Sequence, residues 1–120
     1  MKPRTIQSLL DIQEYSLERM EYYAEPISLE AYESIRSLQL ITERLVGIIG
    51  EAMYRVQRSE PGLVDELPEA RKVMGIRNHL ARGYDALSNE AVWLAATAGV
   101  PELDLNVVKL LERAAELPSA

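Results

Sequence analysis

Leu38, Ile41, Leu45, Ile48, Ile49, Ala52 and Val56 recur at intervals of three and four residues, the repeat that puts side chains on one face of an α-helix. The pattern predicts a long helix ending near Val56 or Arg58. Ser28 is a candidate N-cap for it, and Glu30 falls in the first turn, where a negative charge suits the helix dipole. Leu40 and Val46 add a second apolar edge. A helix that apolar is expected to sit centrally or to meet a partner subunit. Gly47 and Gly50 inside it each forgo about 1 kcal/mol relative to alanine, which predicts close approach of another helix there.

On either side the same reasoning predicts shorter elements. Ile6, Leu9, Leu10, Leu17 and Met20 mark a first helix from about Pro3 to Ala24, stopped by Pro26. Ser59-Glu-Pro-Gly62 opens a loop to Leu67, with room for one short helical turn. Pro68 fits the first position of a third helix that ends near Gly83, with Ala70, Val73, Leu80 and Ala81 toward the core. Ser88 caps a short fourth helix to about Ala98, with Leu87 and Val92 as its staple, and Gly99-Val-Pro101 breaks it. A last helix from about Glu102 to Leu117 carries Leu103, Val107, Leu110, Leu111 and Ala114 on one face. The expected fold is all-α, an up-and-down four-helix bundle with one additional short helix, in a single domain over residues 1–120.

Composition agrees with that class and narrows the function. The chain has 120 residues, 48% of them hydrophobic, with no phenylalanine and one tryptophan. Its formal net charge is −6, so a broad surface for a polyanion is disfavoured and any RNA contact is expected to be local. No cysteine is present, which removes disulfides and thiolate metal sites. No apolar run is long enough to span a bilayer, and a cytoplasmic protein is expected. Nothing in the chain spells a glycine-rich phosphate loop, a paired-carboxylate metal signature or His-x-x-x-His, so neither a metal nor a cofactor is expected.

Against the acidic background, residues 70–84 stand out. Arg71, Lys72, Arg77 and Arg82 fall there with His79 and without a carboxylate, in a chain of 19 acids and 13 Lys and Arg. At 100° per residue Arg77, Ala81 and Tyr84 share one helix face, while Asn78 and Arg82 share the adjacent one. A guanidinium, an amide and a phenol thus meet on a small patch, and the fork of guanidinium donors matches two phosphate oxygens. The ordinary alternative for Arg77 is a solvated or salt-bridged arginine. His79 is either a general base or a merely polar side chain. Trp93 and the pair Tyr22-Tyr23 are core or interface aromatics in the simplest reading. Glu51 either pairs with one of the arginines or stays solvated.

The run Ile49-Gly-Glu-Ala52, then Gly75-Ile-Arg77-Asn78-His-Leu80-Ala81-Arg-Gly83-Tyr84, then Val92-Trp93 resembles the HepT-like branch of the HEPN superfamily. The resemblance extends from the first helix to the Pro-Glu-Leu at 101–103. The family signature is Arg, a polar residue, three more residues, His, one residue, Tyr. The resemblance implies a helical homodimer whose signature residues meet in a cleft. It also implies a metal-independent endoribonuclease that acts as a toxin, neutralised by a cognate minimal nucleotidyltransferase that transfers AMP to the signature tyrosine. Carried over by position, Arg77 holds the scissile phosphate, Asn78 is its polar neighbour and Tyr84 is the adenylylation acceptor.

The base position of that signature falls on residue 82, which is arginine. A guanidinium stays protonated, so it binds phosphate but takes no proton from a ribose 2′-hydroxyl. His79 lies about 60° around the helix and roughly 4.5 Å along it from residue 82, and is the one candidate for a displaced base. Two functions follow: an RNA-cleaving toxin subunit, or a non-catalytic subunit that docks the nucleotidyltransferase and binds RNA or nucleotide.

Overall fold

The computed structural model describes residues 1–23, 25–82 and 88–115, and the helical backbone of Glu116. The helices are α1 (Pro3–Arg19), α2 (Leu29–Ser34), α3 (Arg36–Ser59), α4 (Ala70–Arg82), α5 (Asn89–Leu94) and α6 (Val100–Glu116). A 3-10 helix, Pro61–Glu66, joins α3 to α4. Among the described residues there is no strand, and the fold is the expected all-α bundle.

Helix α3 is its centre, packed on α1 along one side and α4 along the other. Its Val46, Ile49, Met53 and Val56 are buried with Leu9 and Ile12 of α1, Val73 of α4 and Val100, Leu103 and Val107 of α6. Burying one such aliphatic side chain contributes roughly 1.5–3 kcal/mol. Along α1 the buried face is Thr5, Ser8, Leu9, Ile12 and Ser16, so small polar residues bring it close to α3. Ser8 Oγ donates to the Arg4 carbonyl one turn back (3.1 Å), and Thr5 Oγ1 meets Ser59 Oγ of α3 (2.6 Å). Leu10, Leu17 and Met20, expected on the apolar stripe, are exposed. That helix ends at Arg19, and its expected end at Ala24 lies outside the described residues.

The helix expected from Ser28 onward is in fact two. Ser28 Oγ does cap α2 by accepting from Ala31 N–H at 3.1 Å, but Ile35 turns extended (φ −117°, ψ 95°) and the axis restarts at Arg36. The buried Gln39 fits this break, its Nε2 donating to the carbonyls of Tyr32 (3.1 Å) and Glu33 (3.0 Å). Those carbonyls stand at the end of α2, where a helix leaves its own acceptors unpaired, so the amide supplies the bonds the chain gives up at the break. Tyr32 is fully buried beside it, and its hydroxyl has no hydrogen-bond partner among the described residues. Burial pushes that phenol well above its ordinary pKa. An unmatched buried hydroxyl costs roughly 1–3 kcal/mol. Tyr32→Phe is therefore expected to raise the urea midpoint; an unchanged or lower midpoint means the hydroxyl is already bonded to a buried water.

Ser88 caps α5 as expected, accepting from Ala91 N–H at 3.1 Å; its proposed staple residue Leu87 lies outside the described residues. The expected break at Gly99-Val-Pro101 does not occur. α5 runs through a π-turn, Ala95–Gly99, directly into α6. Val100 N–H bonds to Ala95 O, five residues back instead of four. Pro101 follows immediately. A proline ring in a plain α-helix collides with the carbonyl four residues earlier, and the wider turn is where that strain is relieved. α4 begins at Ala70, two residues after Pro68, which lies in the turn before it; its expected end at Gly83 lies outside the described residues.

Candidate functional site

At Gly50 the backbone of α3 meets α4 more closely than any other residue would allow. A Cβ there would stand 2.5 Å from Arg77 Cβ and 2.9 Å from the Val73 carbonyl oxygen. Gly47 one turn earlier is under no such constraint: among the described residues outside its own helix, a Cβ there would meet Leu80 Cδ1 at an ordinary 3.8 Å. The contact at Gly50 lays the Arg77 side chain into the seam between the helices. Its Nη2 lies 2.5 Å from Glu51 Oε2, and its guanidinium carbon sits 5.5 Å from the centre of the Tyr54 ring. The ion pair is close but not aligned as a hydrogen bond. Both side chains are about a third exposed, so the pair contributes at most about 1 kcal/mol to stability. Its effect is on position: a carboxylate at one side and a ring beneath hold the planar guanidinium at the lip of a groove.

Asn78 joins the same cluster through a residue the sequence had not suggested. Its Nδ2 donates to Tyr54 Oη at 2.5 Å. Tyr54 therefore touches both halves of the Arg77-Asn78 pair, under the guanidinium and against the amide. Among the described residues the phenol in this cluster belongs to α3; Tyr84, the phenol expected in the patch, lies outside the described residues. The available signal was spacing, because Tyr54 follows Gly50 and Glu51 by four and three residues and so shares their face.

The groove beside Arg77 encloses about 630 Å³ and is lined by α3 residues Leu40, Glu43, Arg44, Gly47 and Arg55 among others, with Leu80 and Ala81 of α4. His79 does not face it. Together with Lys72, Ile76 and Leu94 it lines a second groove, of about 770 Å³, between α4 and the α5–α6 helix. Arg82 is exposed at the last turn of α4, and Arg71 is paired with Asp65 at 3.0 Å. The cations of residues 70–82 are thus dispersed around α4, and only Arg77 among them enters the α3–α4 groove. Leu80 and Ala81, expected in the core, stand at its edge and are not buried.

Of the other expected aromatics, Tyr23 and Trp93 are structural. Tyr23 is buried with its hydroxyl 2.5 Å from Thr42 Oγ1, and burial raises its pKa, while Tyr22 is exposed. Trp93 Nε1 donates to the Ile27 carbonyl at 2.8 Å, tying α5 to the segment before α2. Among the described residues, no three His, Cys, Asp or Glu are grouped to hold a metal ion, and no helix is long and apolar enough to cross a membrane.

The arrangement offers a phosphate a rigid, always-charged fork donor at the edge of an open groove, with an amide locked beside it. A family model described as ribonuclease HepT-like matches residues 12–110, which include every residue of this cluster.

Proposed function

The chain belongs to the ribonuclease HepT-like family, and from that premise we propose that it is the toxin subunit of a toxin–antitoxin pair. In this reading it is an RNA-cleaving homodimer of a single domain, acts in the cytoplasm without a metal or cofactor, and is neutralised when a cognate minimal nucleotidyltransferase adenylylates Tyr84. The observation that supports it is the fixed Arg77: Gly50 admits it to the seam, Glu51 and Tyr54 hold its guanidinium, and Asn78 is locked against the same phenol. A guanidinium so held can bind the scissile phosphate and stabilise the charge that grows on it as a ribose 2′-oxygen attacks phosphorus and the 5′-oxygen leaves.

That reaction needs a group to take the 2′-hydroxyl proton, and a second reading arises here. Arg82 cannot take it, and His79 lines the groove on the other side of α4 from Arg77. The placement of His79 favours, for the chain as written, a subunit that docks the nucleotidyltransferase and binds RNA or nucleotide without turnover.

The experiment is cleavage of labelled RNA in the presence of a chelator, comparing the chain as written with Arg82→His. A positioned general base contributes about 10²–10⁴-fold, so Arg82→His is expected to raise the rate by at least about 10². Equal cleavage by both proteins would refute the role of residue 82. Cleavage by neither would leave the binding subunit. Coexpression with the nucleotidyltransferase and ATP is expected to add the mass of AMP to the chain as written and not to Tyr84→Phe.

A further inference from the structure

The grooves along α1, α3 and α4 gather positive charge that the run 70–84 does not contain. Arg55 lines both the groove beside Arg77 and a second hollow of about 310 Å³ formed with Arg4, Ser8, Arg58 and Ser59. The two hollows therefore share the Arg55 side chain as a common wall. Arg4, Arg44, Arg55, Arg58 and Arg77 line them against two carboxylates, Glu43 and Glu51, in a chain with 19 acids and 13 Lys and Arg. This face reverses the sign of the molecule.

Much of that charge is not spent inside the protein. Arg4 and Arg44 are exposed and have no ion pair among the described residues. The carboxylate nearest Arg58 is Glu51, at 4.0 Å, and the Arg58 side chain is 65% exposed. Arg55 is held by Asp11 at 3.3 Å but remains 40% exposed. Along the axis of α3, Arg44 and Arg58 each stand seven residues from Glu51, about 10 Å to either side of the point where Arg77 crosses.

We propose that Arg4, Arg44, Arg55 and Arg58 form, with Arg77, a track for the phosphates of one RNA strand along the outer face of α3. It rests on the RNA-directed reading of the Arg77 site and adds how the substrate lies there. The Arg77 phosphate falls in the middle of the bound stretch, with contacts both upstream and downstream of it. The face is one helix wide, about 10–12 Å, which suits a single strand. Outside it the acidic surface repels a polyanion, so the track aligns the strand as well as binding it.

The test is binding of a labelled 2′-O-methyl oligoribonucleotide of about 16 nucleotides, toward the upper end of single-strand site sizes. Its blocked 2′-oxygens prevent cleavage during the measurement. Affinity is measured against salt for the chain as written, Arg4→Gln/Arg44→Gln, and Arg71→Gln as a control outside the track. Each single-strand phosphate contact contributes about 0.7 to the slope of log K against log salt. The double variant is expected to lose about 1.4 from that slope and to bind about 25-fold more weakly at about 0.1 M salt, with Arg71→Gln unchanged. An unchanged slope in the double variant, an equal loss in Arg71→Gln, or no binding by the chain as written overturns the track. So does a double variant that changes its oligomeric state and not its affinity, which assigns the face to a protein partner. Cleavage of unmodified RNA is followed in parallel. A slope loss without cleavage keeps the track and removes the nuclease reading, whereas cleavage with an unchanged slope does the reverse.

Discussion

Arg77→Ala is expected to reduce RNA cleavage by about 10²–10³-fold, the usual effect of removing one donor that stabilises charge in the transition state. The rate is compared in the chain as written and in Arg82→His, so that the background is measurable in whichever protein turns over. Stability is expected to change little. The Glu51 pair is a third exposed on both sides and contributes at most about 1 kcal/mol, with about 0.5–1 kcal/mol more from the ring contact. A melting temperature many degrees lower with cleavage intact would make Arg77 a strut between α3 and α4. Glu51→Gln separates two roles for the carboxylate. If Glu51 competes with phosphate for the guanidinium, the variant binds oligonucleotide more tightly; if it aims the guanidinium, the variant binds more weakly.

Gly50→Ala is expected to destabilise the fold by about 1–2 kcal/mol, even though alanine is the better helix former. The helical gain is about 1 kcal/mol. Against it stand Arg77 Cβ at 2.5 Å and the Val73 carbonyl at 2.9 Å, neither of which is the free end of a flexible chain. Forcing a methyl into such a contact costs typically 1–3 kcal/mol, and the upper part of that range applies where backbone must move. Gly75→Ala provides the contrast. Among the described residues, and beyond its chain neighbours and its own helix backbone, nothing lies within 4 Å of a Cβ at Gly75, so this variant should keep the helical gain of about 0.5–1 kcal/mol. Urea denaturation of both variants decides the matter, and a stabilised Gly50→Ala would mean that α4 can move away from α3 at no cost. Such a shift would also carry Arg77 away from Tyr54, so lost activity in a folded Gly50→Ala is the expected companion result.

What could be read along the chain was whatever one helix decides for itself. The α3 stripe, the caps at Ser28 and Ser88 and the close approach at Gly50 follow from periodicity, a hydroxyl next to free N–H groups, and a missing side chain. What could not be read depends on a partner elsewhere. Gln39 is an ordinary polar residue until its amide is seen closing the end of α2. Leu17 and Met20 have the right spacing for a core, yet Thr5, Ser8 and Ser16 take the inner face because α1 lies close against α3. The site divides the same way. Arg77 and Asn78 were legible as neighbours on one turn, while Tyr54 and the arginines of α3 enter only when α3 and α4 are placed side by side. The run of cations at 70–84 suggested a patch, but a helix turns 100° per residue and scatters such a run around its whole circumference.

The π-turn between α5 and α6 also bears on how this chain tolerates insertions and deletions. A helix absorbs one surplus residue as a wide turn and keeps the phase of everything beyond it. Removing one residue from Ala95–Gly99 would restore the ordinary pitch and leave Leu103, Val107 and Leu110 facing inward, with Pro101 then bearing the strain. The same deletion a few residues later would rotate all that follows by about 100° and bring the core side of α6 out to water. The turn is thus the one slack link in a rod of otherwise fixed length, the place where the gene can lose a codon and the bundle keep its register.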